Sequence, residues 1–479
     1  MRSPRKTATD HGVNSMFNAS GQREAVVAAA RAYVTGGAFK ADLSRRVAIP
    51  SESPREDAGP DHVRYLTKEI APDLEAMGFT TRILENPVAR HLPVLVAERI
   101  EDPGLKTLLT YGHGDVLWGM AGEWRSGRDP FGLEETDGRF YGRGTVDNKG
   151  QHTINLAALR CVLAVNGKLG FNVKVMIEMG EETGSPGLAE IAEAYPDLLA
   201  ADVLIASDGP RTAIEVPTMF LGARGSYGFN LIADERQGEY HSGNWGGLLT
   251  NPGIRLAHAL STITDAKGRI RITEWTPGEI PTNVRRALSN ISLETGPSDP
   301  VTDPEWGEPG LQGPMQVFGW CNFEVLALSC GRPEAPVNAV PGIARATCQL
   351  RYVVGVEQSR IIPALREHLD ANGFHDIAIQ PMKRAFFKAT RTDTDNEWVR
   401  AVAASIRLTT GKEPEILPNL GGSLPNEVFA ETLSMPTIWI PHSHRACGQH
   451  APDEHMLCSV AEEAAAIMAG LFHDLGSFR

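Results

Sequence analysis

His113 and Asp115, one residue apart in YGHGD, close an apolar run at 105–110 that reads as a buried strand. Asp147, in YGRGTVDNKG, lies just ahead of a helical pattern at 151–165, where Ile154, Ala157, Ala158, Cys161 and Val165 share one face. A helix N-terminus favours a carboxylate there. The arrangement recurs: 171–177 runs into Glu178, Glu181 and Glu182, and 203–206 runs into Ser207 and Asp208. In a parallel α/β sheet the strand carboxyl ends open on one edge, so these loops should converge with one histidine and four carboxylates in a single crevice. Carboxylates at that density raise one another's pKa unless cations hold them. The chemistry expected is that of a metal site with more than one ion.

The elements that must position these residues follow from period and punctuation. Helical patterns at 23–34 and 63–77 flank a turn-rich stretch at 49–60, and strands and helices then alternate as far as Asp208. That is the signature of a doubly wound α/β fold. From 217 the character changes to strands at 219–232 and 347–354 and helices at 251–263 and 357–372, a small α+β domain inserted into the first. Within it 277–314 is dense in Pro and Gly without a clear period, and reads as a functional loop or an insertion. A helix at 398–408 and a strand at 435–440 restore the first rhythm. They lead into PHSHRACGQHAPDEH, whose His442, His444, His450 and His455 are candidates for a further metal ligand, and into a last helix at 460–471. The expected organisation is a catalytic domain in two parts, 1–216 (with 1–21 a disordered leader) and 386–479, interrupted by a lid or dimerisation domain at 217–385.

A chain of 479 residues exceeds one compact core, and its 42% hydrophobic content can fill two. The formal charge of −13 argues against nucleic acid as a partner, because phosphate binding needs a basic face. Six cysteines without a CxxC pair suit a reduced compartment. The first residues are basic but no apolar segment follows them, and no run is long enough to span a membrane. A cytoplasmic setting without a membrane partner is expected. A serine nucleophile elbow is missing, since LGGSLP breaks its pattern at Pro425, and so is HExxH.

Taken together, five motifs in order resemble the M20 family of metallopeptidases, and within it the cytosolic nonspecific dipeptidase and carnosinase branch. They are His113 with Asp115; GRG followed by Asp147 and a Lys-Gly pair; Glu181 and Glu182 in EETGS; Asp208 in SDG; and Gly448 to His450 with Glu454 downstream. The resemblance implies two divalent metal ions per subunit, one held by His113, Asp147 and Asp208 and the other by Asp147, Glu182 and His450. Asp147 has the two oxygens needed to bridge ions ~3.5–4 Å apart. Nitrogen and oxygen donors without cysteine suit Zn²⁺ first, with Mn²⁺ or Co²⁺ compatible. Asp115 would orient His113 through its other ring N–H, and Glu181 would be the general base. A cis peptide between Asp147 and Asn148 is also implied.

In the inserted region, His241 in YHSG resembles a lid histidine that enters the partner subunit's active site and stabilises an oxyanion, which implies a homodimer through that domain. Arg351 in QLRYV and Asn338 before VPG match positions at the substrate's carboxylate end and reacting amide. Gly421, Gly422 and Ser423 in LGGSLP match a loop that contacts substrate backbone. The implied activity is metal-dependent cleavage of dipeptides or small peptides with a free C-terminal carboxylate. Its rival is removal of acyl groups from N-acyl amino acids on the same fold, against which EETGS and Asp208 speak. A non-catalytic binding protein on this scaffold would show gaps among the ligands and base, and the sequence has none.

Overall fold

A computed structural model describes residues 21–291, 293 and 300–478 of the chain, so the leader expected at 1–21 lies, Gly21 apart, outside the described residues. The chain forms two compact units. One comprises residues up to Gly222 with Thr392–Leu417 and the chain from Glu427 onward; the other comprises Ala223–Arg391 with Pro418–Asn426. In chain order the strands used below are β1 (Thr80–Leu84), β2 (Val94–Arg99), β3 (Thr107–His113), β4 (Asn172–Glu178), β5 (Val203–Ala206), β6 (Thr218–Phe220), β7 (Gly225–Asp234), β8 (Asn322–Cys330), β9 (Ile343–Tyr352), β10 (Ala378–Phe387), β11 (Glu415–Leu417) and β12 (Thr437–Trp439). The helices are α1 (Gly21–Thr35), α2 (Lys149–Asn166), α3 (Pro252–Ile263), α4 (Ile361–Ala371), α5 (Glu397–Thr410) and α6 (Cys458–Leu475).

The first unit is built on an eight-stranded sheet in the order β1-β2-β4-β3-β5-β12-β6-β11. Its four central strands, β4, β3, β5 and β12, run parallel, whereas β2 is antiparallel to both of its neighbours, β1 and β4, and β12 meets β6 antiparallel. The sheet is therefore mixed, and the parallel part is the part that carries the site. β4 is buried along its whole length, as a strand covered on both faces must be. α2 buries nearly every residue from Lys149 to Val162, and α1 buries Val26, Ala30 and Val34 at helical spacing. The helical pattern expected at 63–77 is part of a run from Gly59 to Ala76 that passes through a π-helical turn at Tyr65–Ile70.

One buried ion pair ties three helices of this unit. Arg23 on α1 meets Asp474 on α6 at 2.9 Å, both side chains at most 4% exposed. Ser405 and Thr409 of α5 complete the set, Ser405 Oγ donating to Asp474 at 2.6 Å and Arg23 Nη2 donating to Thr409 Oγ1 at 2.7 Å. Removing one partner of such a pair strands the other charge in a desolvated place. Asp474→Ala is expected to cost about 3 kcal/mol or more of folding stability, read as a lowered urea midpoint at unchanged slope. A variant with the wild-type midpoint would show the pair to be dispensable.

The second unit holds an antiparallel sheet in the order β8-β9-β7-β10. Along β9, Ala344, Ala346, Cys348, Leu350 and Tyr352 alternate inward and form a core with Leu256, Ala259 and Ile263 of α3 and Leu365 and Leu369 of α4. Trp275 is fully buried there and donates its indole N–H to the carbonyl of Ile361 at 2.9 Å. The division falls at 222/223 rather than at 217 because β6 belongs to the larger sheet. The Pro-rich stretch contains a two-turn helix, Thr282–Leu288, that buries Val284 and Leu288; it is too short for a period to show in sequence. Residues 292 and 294–299 of that stretch lie outside the described residues. No helix among the described residues is long and apolar enough to cross a membrane.

Candidate metal centre

Parallel register places the site. His113 ends β3 directly opposite Glu178 at the end of β4, and Asp208 follows β5 by two residues. Asp147 stands just before α2, whose Asn148 is the N-cap residue, and the peptide joining them is cis. What holds the Asp147 loop is Glu454. Its buried carboxylate accepts from the backbone N–H groups of Gly144 at 3.0 Å, Val146 at 2.9 Å and Asp147 at 3.2 Å, and pairs with Arg143 at 2.7 Å. At the other end of the motif Gly150 cannot be replaced, because a Cβ there would lie 1.9 Å from the carbonyl oxygen of Thr145.

Asp147 is the centre of the arrangement. One of its oxygens, Oδ1, lies 3.0 Å from His113 Nε2, and the other, Oδ2, lies 2.8 Å from His450 Nε2. Asp208 approaches the first histidine at 3.6 Å and Glu182 the second at 3.2 Å. Two groups result, His113–Asp147–Asp208 and Asp147–Glu182–His450, each with ligand atoms within 4.8 Å of one another. His450 holds a left-handed backbone at φ 63°, a conformation uncommon outside glycine that recurs at functional sites. Glu181 Oε2 lies 3.9 Å from His113 Nε2 and belongs to neither group.

Second contacts orient the first. His113 turns Nδ1 toward Asp115, 3.1 Å from its carbonyl oxygen and 3.4 Å from Oδ1, leaving Nε2 for the centre. The Asp115 carboxylate also accepts from the backbone N–H groups of Glu181 and Glu182 at 3.2 and 3.1 Å, so one side chain sets both the histidine and the glutamate loop. Gln449 donates to Asp147 Oδ2 at 2.6 Å.

The electrostatics follow from burial and from the crowding of opposite charges. Burial opposes charge on His113, yet Asp115, Asp147 and Asp208 outweigh it and hold its pKa well above the ordinary value. Asp147 and Glu182 hold His450 up at about 11. Asp147, despite burial, is kept well below the usual carboxylate range by the two histidines. The remaining acids move the other way. Burial and then the Asp147 charge push Glu182 up to about 7; burial raises Asp208 against the pull of His113; and burial raises Glu181 well above a normal glutamate, His113 opposing and Asp208 and Glu182 adding. Two imidazoles and several carboxylates without a thiol are the donor set of divalent cations, and the residues fit them.

Among the four histidines of the PHSHRACGQHAPDEH cluster, His450 enters a group and the other three do not. His442 Nε2 pairs with Ser207 Oγ at 2.9 Å, and His444 and His455 pack against each other. Glu178 turns away to accept from Tyr111 at 2.6 Å and Ser185 at 3.0 Å. In the second unit His241 and Asn338 are neighbours across a two-strand pairing, both exposed, with the Asn338 carbonyl accepting from Ser242 N at 2.8 Å. Arg351 Nη1 donates to Ser423 Oγ at 3.2 Å, bringing the Gly422–Ser423 loop to β9. The clasp made by Glu454, the contact of Gln449 and the nearby guanidinium of Arg224 were not foreseen. Glu454 was visible as a motif member without a role, and Gln449 occupies a position that the motif leaves free.

The chain resembles known proteins over most of its length. It is 26% identical over 413 residues to a cysteinylglycine-S-conjugate dipeptidase of Corynebacterium striatum, spanning 84% of this chain and 83% of the relative. It is 33% identical over 385 residues to a beta-Ala-His dipeptidase of Rattus norvegicus, spanning 76% and 75%. The crystal structure of human carnosine dipeptidase 1 has the same fold, with a TM-score of 0.75 at 23% identity, covering 96% of this chain and 100% of that one. Residues 109–474, from the strand that ends in His113 through the histidine cluster to the last helix, match peptidase family M20/M25/M40, and the chain belongs to that family.

Proposed function

We propose that the chain is a dipeptidase with two metal ions per subunit, cleaving the amide of small peptides that carry a free C-terminal carboxylate. The observation that carries this reading is Asp147, whose two oxygens each face a different histidine and so join two ligand groups into one centre. His113, Asp147 and Asp208 would hold one ion and Asp147, Glu182 and His450 the other, with Zn²⁺ the first choice for this donor set and Mn²⁺ or Co²⁺ compatible. Bound there, the ions supply Lewis acidity and compensate the carboxylate charge. Glu181, outside both ligand groups, takes the proton of the attacking water and returns it to the leaving amine nitrogen. Asp115 fixes His113 and the backbone of the glutamate pair.

In the second unit, Arg351 reads the substrate's carboxylate, Asn338 contacts the reacting amide, Gly422 and Ser423 contact the substrate backbone, and His241 stabilises the oxyanion in a partner subunit. The β8 edge supports a homodimer through this unit. Val325, Leu326 and Leu328 are exposed along that edge strand, a surface that proteins ordinarily cover. Six cysteines without a disulfide support a cytoplasmic setting. The dipeptidase names of two relatives support the substrate class.

The test is hydrolysis of a dipeptide panel by metal-stripped chain to which Zn²⁺, Mn²⁺ or Co²⁺ is returned, with N-acetyl amino acids alongside. Cleavage of dipeptides restored by metal is the expected result. Cleavage of the N-acetyl compounds alone would replace this reading with a deacylase.

A further inference from the structure

The loop that follows Asp115 in the first unit carries two tryptophans in opposite settings. Trp124 is 3% exposed and donates its indole N–H to the Gly119 carbonyl at 2.6 Å. Trp118 is 50% exposed, and among the described residues its indole has no hydrogen-bond or ring partner. The backbone beneath it is nevertheless fixed. The Trp118 carbonyl accepts from Arg143 twice, from Nε at 3.1 Å and from Nη2 at 2.9 Å, and Gly119 N–H donates to Glu52 at 2.8 Å. Gly119 packs so closely on the Phe131 ring that a Cβ would fall 2.8 Å from it. A large apolar ring on a rigid mount can bind without further ordering cost.

The same mount holds the metal centre. Arg143 spends its remaining nitrogen on Glu454 at 2.7 Å, and Glu454 accepts from the N–H of Asp147. Further along the loop, Arg125 N and Arg128 Nη1 donate to Asp453 Oδ1 at 3.1 and 3.2 Å, three residues past His450. Trp118 is itself three residues past Asp115, so their Cα atoms lie within ~11 Å of each other. The indole therefore stands at the rim of the crevice that His113, Asp147 and His450 share. Of the charged groups bonded to this loop, Arg143 is paired with Glu454, Arg125 and Arg128 with Asp453, and Glu52 with Arg55 at 4.0 Å. Among these groups no anion is left free to draw a cation onto the ring, which is offered as an apolar face.

In a dipeptide the reacting carbonyl belongs to the N-terminal residue, whose Cα is bonded directly to the attacked carbon, whereas the C-terminal Cα lies beyond the leaving nitrogen. We infer that the Trp118 indole is the wall against which the side chain of the substrate's N-terminal residue packs, selecting an aromatic or large aliphatic one. The inference rests on the dipeptidase reading and adds to it the substrate class. Gly-Gly, Lys-Gly, Leu-Gly, Phe-Gly and Gly-Phe would be compared on the metal-reconstituted full chain. Phe-Gly should show a KM ~10-fold below that of Gly-Gly with kcat little changed, the worth of one good aromatic contact. In Trp118→Ala that ratio should fall to within ~2-fold at unchanged metal content, and Trp118→Phe should keep most of it.

Equal KM values, a preference for Lys-Gly, selectivity that survives Trp118→Ala, or an effect of that substitution confined to Gly-Phe would overturn the assignment. Loss of metal in Trp118→Ala would overturn it too, by making Trp118 part of the framework of the centre. Binding calorimetry of Phe-Gly and Gly-Gly to the metal-loaded Glu181→Gln chain, with and without Trp118→Ala, separates the two claims. If no dipeptide is cleaved by the wild-type chain yet Phe-Gly binds selectively through Trp118, the dipeptidase reading fails and the Trp118 wall stands. If dipeptides are cleaved but the two bind alike, the wall fails and the reading stands.

Discussion

Glu181→Gln should lower kcat by about 10²–10⁴-fold, the usual worth of a positioned acid–base group, while the protein still holds its full complement of metal. The reason is geometric. Glu181 is close enough to His113 to act at the centre, at 3.9 Å, yet it contributes no ligand atom to either group. Glutamine keeps the size and the backbone bonds to Asp115 but cannot accept and return a proton. Single-turnover rates and metal analysis on one preparation would check both halves of the expectation. Loss of metal with loss of activity would make Glu181 a ligand, and the general base would have to be sought elsewhere.

Asp147→Asn should have the opposite signature, a loss of metal that brings the loss of hydrolysis with it. The substitution preserves shape but replaces one oxygen by an amide nitrogen, so the side chain no longer presents an anionic oxygen to each histidine. Affinity should fall by more than the ~10–100-fold that removal of an outer partner costs, since a shared ligand is removed from both ions. Asp208→Asn, in contrast, should weaken one ion and spare the other, because Asp208 belongs to one group only. Titration of each apo variant with Zn²⁺ distinguishes the cases. Two tightly held ions in Asp147→Asn would rule out a bridging role.

The order of strands and helices was legible because apolar period and turn residues are local properties. β5 spans the expected 203–206, and α2 begins two residues before the expected 151. The convergence of His113, Asp147, Glu182 and Asp208 could likewise be read from strand ends, since parallel strands open on one edge whatever their order. Sheet direction was less accessible. β2 is antiparallel to β1 and β4, and β6 is antiparallel to β12 but parallel to β11, which no period-2 pattern reveals. The edge of the second unit was missed by six residues at 217, because β6 looks continuous with β7 in hydrophobicity and only its pairing with β11 assigns it to the larger sheet.

By itself, then, the sequence determined which residue types stand at the strand ends and that their charge requires cations, because spacing along a strand or helix dictates where a side chain emerges. Which of His442, His444, His450 and His455 meets Asp147 was implied by a motif and decided by the fold. His450 reaches it through a left-handed backbone, while the others are spent on Ser207 and on each other. The Glu454 clasp, 307 positions along the chain from Asp147, belongs to the tertiary structure alone. Contacts between residues so distant in the chain depend on how the elements pack, and packing has no local period to betray it.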